Sequence, residues 1–180
     1  MRYNPDAHRR RSIRLRNFDY TTVGAYFVTV CTHNRVPLFG EIQGDEMWLN
    51  DAGQIVQDIW NGSPDQYSHV QLDAWVVMPN HVHGIITLVD PNDVGAGFKP
   101  APTPPNEKRR PLSEIVRAFK TFSARRINEY RGTSGTTVWQ RHYYEHVIRS
   151  ETSLHDIRHY IVHNPAKWAE YNPTSQALGS

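Results

Sequence analysis

Two small groups of residues in this chain have the types and spacing to act on a phosphate. His81 and His83 stand two apart in the run His81-Val82-His83-Gly84, and Tyr160 stands four before Asn164. Alternation on a strand would point both imidazoles to one face and Val82 to the other. Neutral imidazole is a common ligand for divalent metals, and two side by side make half a site. Taken alone, such a pair is more often two surface histidines on a half-exposed strand. On a helix, residues four apart lie on one side, a turn from each other. A wheel of about 100° per residue sets Tyr160 and Asn164 beside Ile157 and Ile161, at the border of an apolar stripe. The Asn164 amide oxygen could meet a metal there, and the Tyr160 phenol could approach a phosphate that the metal orients. Spacing alone favours a half-buried packing tyrosine.

Nine tyrosines compete for the role of nucleophile. Tyr143 and Tyr144 rank below Tyr160, because neither has a polar residue one helical turn away to share a metal. They read as packing residues or as residues that touch the substrate. His146, His159 and His163 could support the site or touch a phosphate, but read more simply as surface residues.

The elements that must carry these groups are legible from pattern. Ala25 to Thr32 is rich in aromatic and β-branched residues and predicts a strand. Asn34 and Arg35 read as a turn, and Met47 to Leu49 as a short strand. Asn50 or Asp51 caps a helix reaching about Trp60, with Ile55, Val56 and Ile59 at helical spacing. Asn61-Gly62-Ser63-Pro64 ends it. Leu72 to Met78 and His81 to Val89 predict two strands broken at Pro79, which has no N–H to donate.

Leu112, Ile115, Val116, Phe119 and Phe122 predict one face of a helix over 112–130. Val138 to Gln140 and Tyr144 to Ile148 predict a last strand. A final helix opens at Ser150 or Thr152, buries Leu154, Ile157 and Ile161, and ends at Pro165. The order strand, strand, helix, strand, strand, helix, strand, helix predicts an α+β, ferredoxin-like fold, helices laid on one mostly antiparallel sheet.

The chain has 180 residues, enough for one domain with a real core and short for two. Residues 1–20 read as an extended basic arm, 21–172 as a single catalytic domain and 173–180 as a tail. Residues 90–111 hold six prolines and predict a mobile loop within the domain. No apolar run approaches the roughly 20 residues of a membrane helix. No apolar stretch follows the N-terminal arginines, so they do not read as a secretory signal. One cysteine, Cys31, rules out an internal disulfide and fits a reduced compartment, the cytoplasm. Net charge is only +2, yet it is unevenly spread. Arg9, Arg10, Arg11, Arg14 and Arg16 crowd the first segment, and Arg117, Lys120 and Arg125 belong to a second basic stretch. Such clusters suit a polyanion groove, although solvated faces would look the same.

A resemblance sharpens these readings. The stretch Ala74 to Gly84, containing Met78-Pro79-Asn80-His81-Val82-His83, resembles the signature of HUH endonucleases, and most closely that of the REP-associated tyrosine transposases. Trp139 to Arg149 is similar to that family's tryptophan-glutamine block. The run Tyr160-Ile161-Val162-His163-Asn164-Pro165-Ala166-Lys167 resembles its Tyr-Ile-x-x-Asn-Pro-x-Lys motif. Ser12 to Leu15, Tyr26 to Val30 and Ile115 to Lys120 are similar to further family segments. The likeness spans about residues 12–170; the prolines from Pro100 to Pro105 match nothing in it.

The resemblance implies that Tyr160 is a nucleophile and that His81, His83 and Asn164 hold a divalent cation, Mg²⁺ or Mn²⁺. The histidine pair by itself would suit Zn²⁺ equally. It implies cleavage and transfer of single-stranded DNA through a 5′-phosphotyrosine, on hairpin DNA, by a monomer or homodimer. Arg9, Arg10, Arg11, Arg14 and Arg16 would grip the hairpin, and Arg117, Lys120 and Arg125 would track phosphates. Two rival classes remain open: a catalytically inactive, hairpin-binding regulator derived from a transposase, and a metal-dependent hydrolase that uses water.

Overall fold

A computed structural model describes residues 21–90 and 109–171. The expected basic arm with Arg9, Arg10, Arg11, Arg14 and Arg16, most of the proline-rich loop and the tail lie outside the described residues.

In chain order the elements are β1 (Gly24–Cys31), β2 (Gly40–Gln43), β3 (Glu46–Leu49), α1 (Asp51–Asn61), α2 (Ser63–Gln66), β4 (Val70–Met78), β5 (His81–Leu88), α3 (Leu112–Arg131), β6 (Tyr144–Ile148), α4 (Glu151–Val162) and α5 (Asn164–Tyr171). Four strands form the main sheet in the order β4-β5-β1-β6. Every neighbouring pair is antiparallel. This is the ferredoxin-like arrangement, with β2 and β3 as a separate hairpin.

Alternation along the central strands divides the molecule into two layers. Tyr26, Val28, Val30, Val82, Ile86 and Leu88 face Val56 and Trp60 of α1 and Ile115, Val116 and Phe119 of α3. Phe27 and Ile85 face the other way, against Ile161, Ile157, Leu154 and Tyr160 of α4. Gly84 belongs to the first layer: a Cβ there would sit 2.3 Å from Trp60 Cζ2, so only glycine lets that ring lie on the sheet. His81 and His83 are thereby sent to the α4 side.

Several expected boundaries move. The predicted strand at Met47 to Leu49 has a partner, β2, which pattern missed because Glu41 and Gln43 make it polar. Gly62 follows α1, as expected, but Pro64 sits in the first turn of α2, where its missing N–H costs nothing. Phe122 is 46% exposed, whereas Ser123 is fully buried and accepts a hydrogen bond from Trp139 Nε1 at 2.9 Å. The stripe of α3 runs through Ser123 to Ile127 instead.

The final helix also differs. It breaks at His163, and Pro165 opens α5 rather than closing the segment. Proline cannot donate to the carbonyl four residues back, so the continuous helix is interrupted, yet its fixed φ suits a new first turn. Tyr160 and Asn164 therefore stand on two consecutive helices. No helix among the described residues is long and apolar enough to cross a membrane.

Candidate active site

The two histidines open β5 on the side facing α4. His83 lies opposite Thr29 of β1, and its Nδ1 is 2.8 Å from Thr29 Oγ1. His81 Nδ1 is 2.7 Å from Asn80 Oδ1. That amide oxygen only accepts, so His81 carries its proton on Nδ1 and a lone pair on Nε2. The two rings are 4.4 Å apart, and Phe27 stacks on His83 at 5.5 Å. Both are buried. Burial, with the Arg35 charge adding to it and a hydrogen bond to Asn164 opposing it, pushes His81 down to about 4. Burial and the neighbouring His81 hold His83 well below the ordinary imidazole value. Both rings are neutral at pH 7, the form in which imidazole binds a metal.

The tyrosine arrives from the opposite layer. Ser150 caps α4 by accepting from Ser153 N at 3.1 Å, and Ile161 anchors it in the apolar cluster. Arg158 pins it to β4 through two contacts with Asp73, at 2.8 and 2.6 Å. These contacts set the Tyr160 hydroxyl 3.2 Å from His83 Nε2. Phe27 meets the Tyr160 ring edge-on at 6.1 Å. Asn164 is buried and hydrogen-bonds His81. The structure thus brings His81, His83, Tyr160 and Asn164 together. Among the described residues no group of three His, Cys, Asp or Glu could hold a metal. The donor set on offer is two imidazoles and one amide oxygen, and its neutral nitrogens and hard oxygen suit Mg²⁺, Mn²⁺ or Zn²⁺.

Other residues join the site without having been singled out. Thr29 and Asn80 fix the two imidazole orientations. Lys167 Nζ lies 5.5 Å over the Tyr160 ring, and the Trp168 ring is 5.7 Å from His81. Asn80 and Lys167 stood inside the quoted motifs, but nothing in their spacing announced these contacts. Tyr144 is half exposed on β6 and meets Phe27 edge-on at 6.2 Å, one strand beyond Thr29.

The basic residues of α3 lie in the opposite layer. Arg117 is exposed and, with Lys120 and residues 136–141, lines an open groove. Lys120 donates to the carbonyls of Gln140 and Arg141 at 2.7 and 3.0 Å. Arg125 pairs with Glu129 at 2.8 Å.

Fold and site together define a ferredoxin-like α+β protein whose paired strand histidines face a helix tyrosine. No family model matches the chain. An uncharacterized protein of Haemophilus influenzae is 38% identical over 176 residues, covering 94% of this chain and 95% of that protein. A second protein of that organism, provisionally named a REP-associated tyrosine transposase, is 24% identical over 149 residues, covering 83% and 74%. A solved structure of a REP-associated tyrosine transposase bound to a REP hairpin has a TM-score of 0.56 at 22% identity, covering 86% of this chain and 73% of that one; it shows the shared fold. The chain is thus a homologue of the uncharacterized Haemophilus influenzae protein and shares the fold of a REP-associated tyrosine transposase.

Proposed function

We propose that this chain cuts and rejoins single-stranded DNA beside a hairpin, with Tyr160 as the nucleophile. The observation that carries this reading is the 3.2 Å approach of the Tyr160 hydroxyl to His83 Nε2, with His81 and Asn164 at the same point. The phenol oxygen attacks a backbone phosphorus, and the bond from phosphorus to the 3′ oxygen breaks. The phenolic proton leaves, the departing 3′ oxygen gains one, and the 5′ side stays joined to Tyr160. Because the phosphate ester is conserved, attack by another 3′-hydroxyl rejoins strands without an energy source. Mg²⁺ or Mn²⁺ held by His81, His83 and Asn164 would draw charge from a phosphate oxygen and orient that phosphate. Asn80 keeps His81 in the tautomer and direction that such binding needs, and Thr29 orients the His83 ring.

Hairpin DNA as the partner is supported by the REP hairpin in the solved relative of the same fold. Exposed Arg117 would contribute phosphate contacts from the far layer. A denaturing gel of the protein with end-labelled single-stranded DNA and Mn²⁺ tests the proposal. A protein–DNA adduct is expected, and it should vanish in Tyr160→Phe. Free cut DNA would point to a water-using hydrolase, and uncut bound DNA to a regulator.

A further inference from the structure

The turn after β1 concentrates backbone strain next to His81. Asn34 and Arg35 both have positive φ, 54° and 55°, a region that a long side chain such as arginine seldom adopts. Hydrogen bonds hold it there. Thr32 Oγ1 donates to the carbonyls of Val36 and Asn80 at 2.8 and 3.0 Å. Asn80 Nδ2 donates to the Arg35 carbonyl at 3.0 Å, while Asn80 Oδ1 accepts from His81. One amide therefore joins the strained turn to the imidazole. The exposed Arg35 side chain has no carboxylate partner among the described residues. Its charge bears on His81, secondary to burial, and partly offsets the rise that burial gives the Cys31 thiol.

At the other end of the row of rings stands Lys167. It is exposed, lies over Tyr160 and pairs with no carboxylate among the described residues. Fixed cations beside two imidazoles oppose the binding of a divalent cation. An anion seated between them relieves that repulsion.

We propose that Arg35 and Lys167 form a two-point clamp that seats backbone phosphates of single-stranded DNA across His81, His83 and Tyr160. The proposal rests on the DNA-cutting reading above and adds residues that grip the strand. Arg35 holds the His81 end and Lys167 the Tyr160 end, and Asn80 couples the grip to the imidazole.

Anisotropy of a fluorescent single-stranded oligonucleotide, titrated with the full chain across a KCl series, tests it. Arg35→Gln and Lys167→Gln should each flatten the plot of log affinity against log salt by about 0.7. Each should weaken binding about tenfold at low salt. Arg35→Lys and Lys167→Arg should restore the slope, which a merely structural role would not do. Wild-type slopes in both folded glutamine variants would overturn the clamp. If Arg35→Gln disturbs the turn, Lys167→Gln decides alone. The readout is binding, so an absent adduct in the wild type sinks the cutting reading and leaves the clamp standing. Normal attachment with unchanged slopes does the reverse.

Discussion

Replacing Tyr160 by phenylalanine should tighten divalent-metal binding while abolishing attachment to DNA. His83 Nδ1 is engaged by Thr29 at 2.8 Å, so only Nε2 can turn to a metal, and Nε2 is met by the Tyr160 hydroxyl at 3.2 Å. A cation taken up there must displace that hydrogen bond. A neutral hydrogen bond is worth about 0.5–1.5 kcal/mol net, and the long separation points to the lower half of that range. Losing a competitor of about 0.5–1 kcal/mol tightens binding about two- to fivefold. The phenylalanine ring can keep the edge contact with Phe27 and the place under Lys167, so the fold should hold. Calorimetric titration of Mn²⁺ into both proteins without DNA measures the difference, with His83→Ala as the variant expected to lose binding. Weaker Mn²⁺ binding by Tyr160→Phe would show the phenol to be a donor itself. Equal binding would show that its bond to His83 does not compete, and either result refutes the reasoning.

Gly84→Ala should lower stability by about 1–3 kcal/mol, because the new methyl meets the fully buried Trp60 ring; a drop in thermal midpoint checks it. Lys120→Met should cost about 1–2 kcal/mol in denaturant unfolding by freeing the Gln140 and Arg141 carbonyls, and leave the salt slope of DNA binding unchanged if the ammonium serves that loop alone. Asp73→Asn should loosen α4 slightly, an effect that salt erases. The Arg158 hydrogen bond, first among its causes, holds the Asp73 carboxyl below its ordinary value. Its contribution is therefore complete above about pH 4 and lost as pH falls through the lowered value. Acid unfolding followed by circular dichroism should show the wild type losing its advantage over Asp73→Asn in that window.

The outline of the fold was legible where a single physical rule dominates. Two-residue alternation sent His81 and His83 to one face of β5, and apolar spacing with a capping Asn50 fixed α1. Both candidate-site blocks were legible as a family resemblance, and the convergence of their residues was an expectation that chain spacing could not settle. What stayed hidden depends on contacts between distant segments. Thr29 became the partner of His83 only through the β1–β5 register. Arg35 was read as part of a turn, but its left-handed conformation is imposed by Thr32 and Asn80. Pro165 was read correctly as a bar to a continuous helix, yet the same ring is well suited to starting α5, and the motif spans the break. Lys120 was read as a basic residue of a phosphate-tracking face, and its bonds to the Gln140 and Arg141 carbonyls join it to a segment that spacing did not reveal.

The central claim is that the phenol meeting His83 is the atom that joins DNA. Digesting the protein–DNA adduct with protease and nuclease, then sequencing the modified peptide by mass spectrometry, locates that atom. A nucleotide mass on Tyr160 and an unmodified Tyr144 are expected. A nucleotide on Tyr144, or cut DNA with no modified tyrosine, would contradict it.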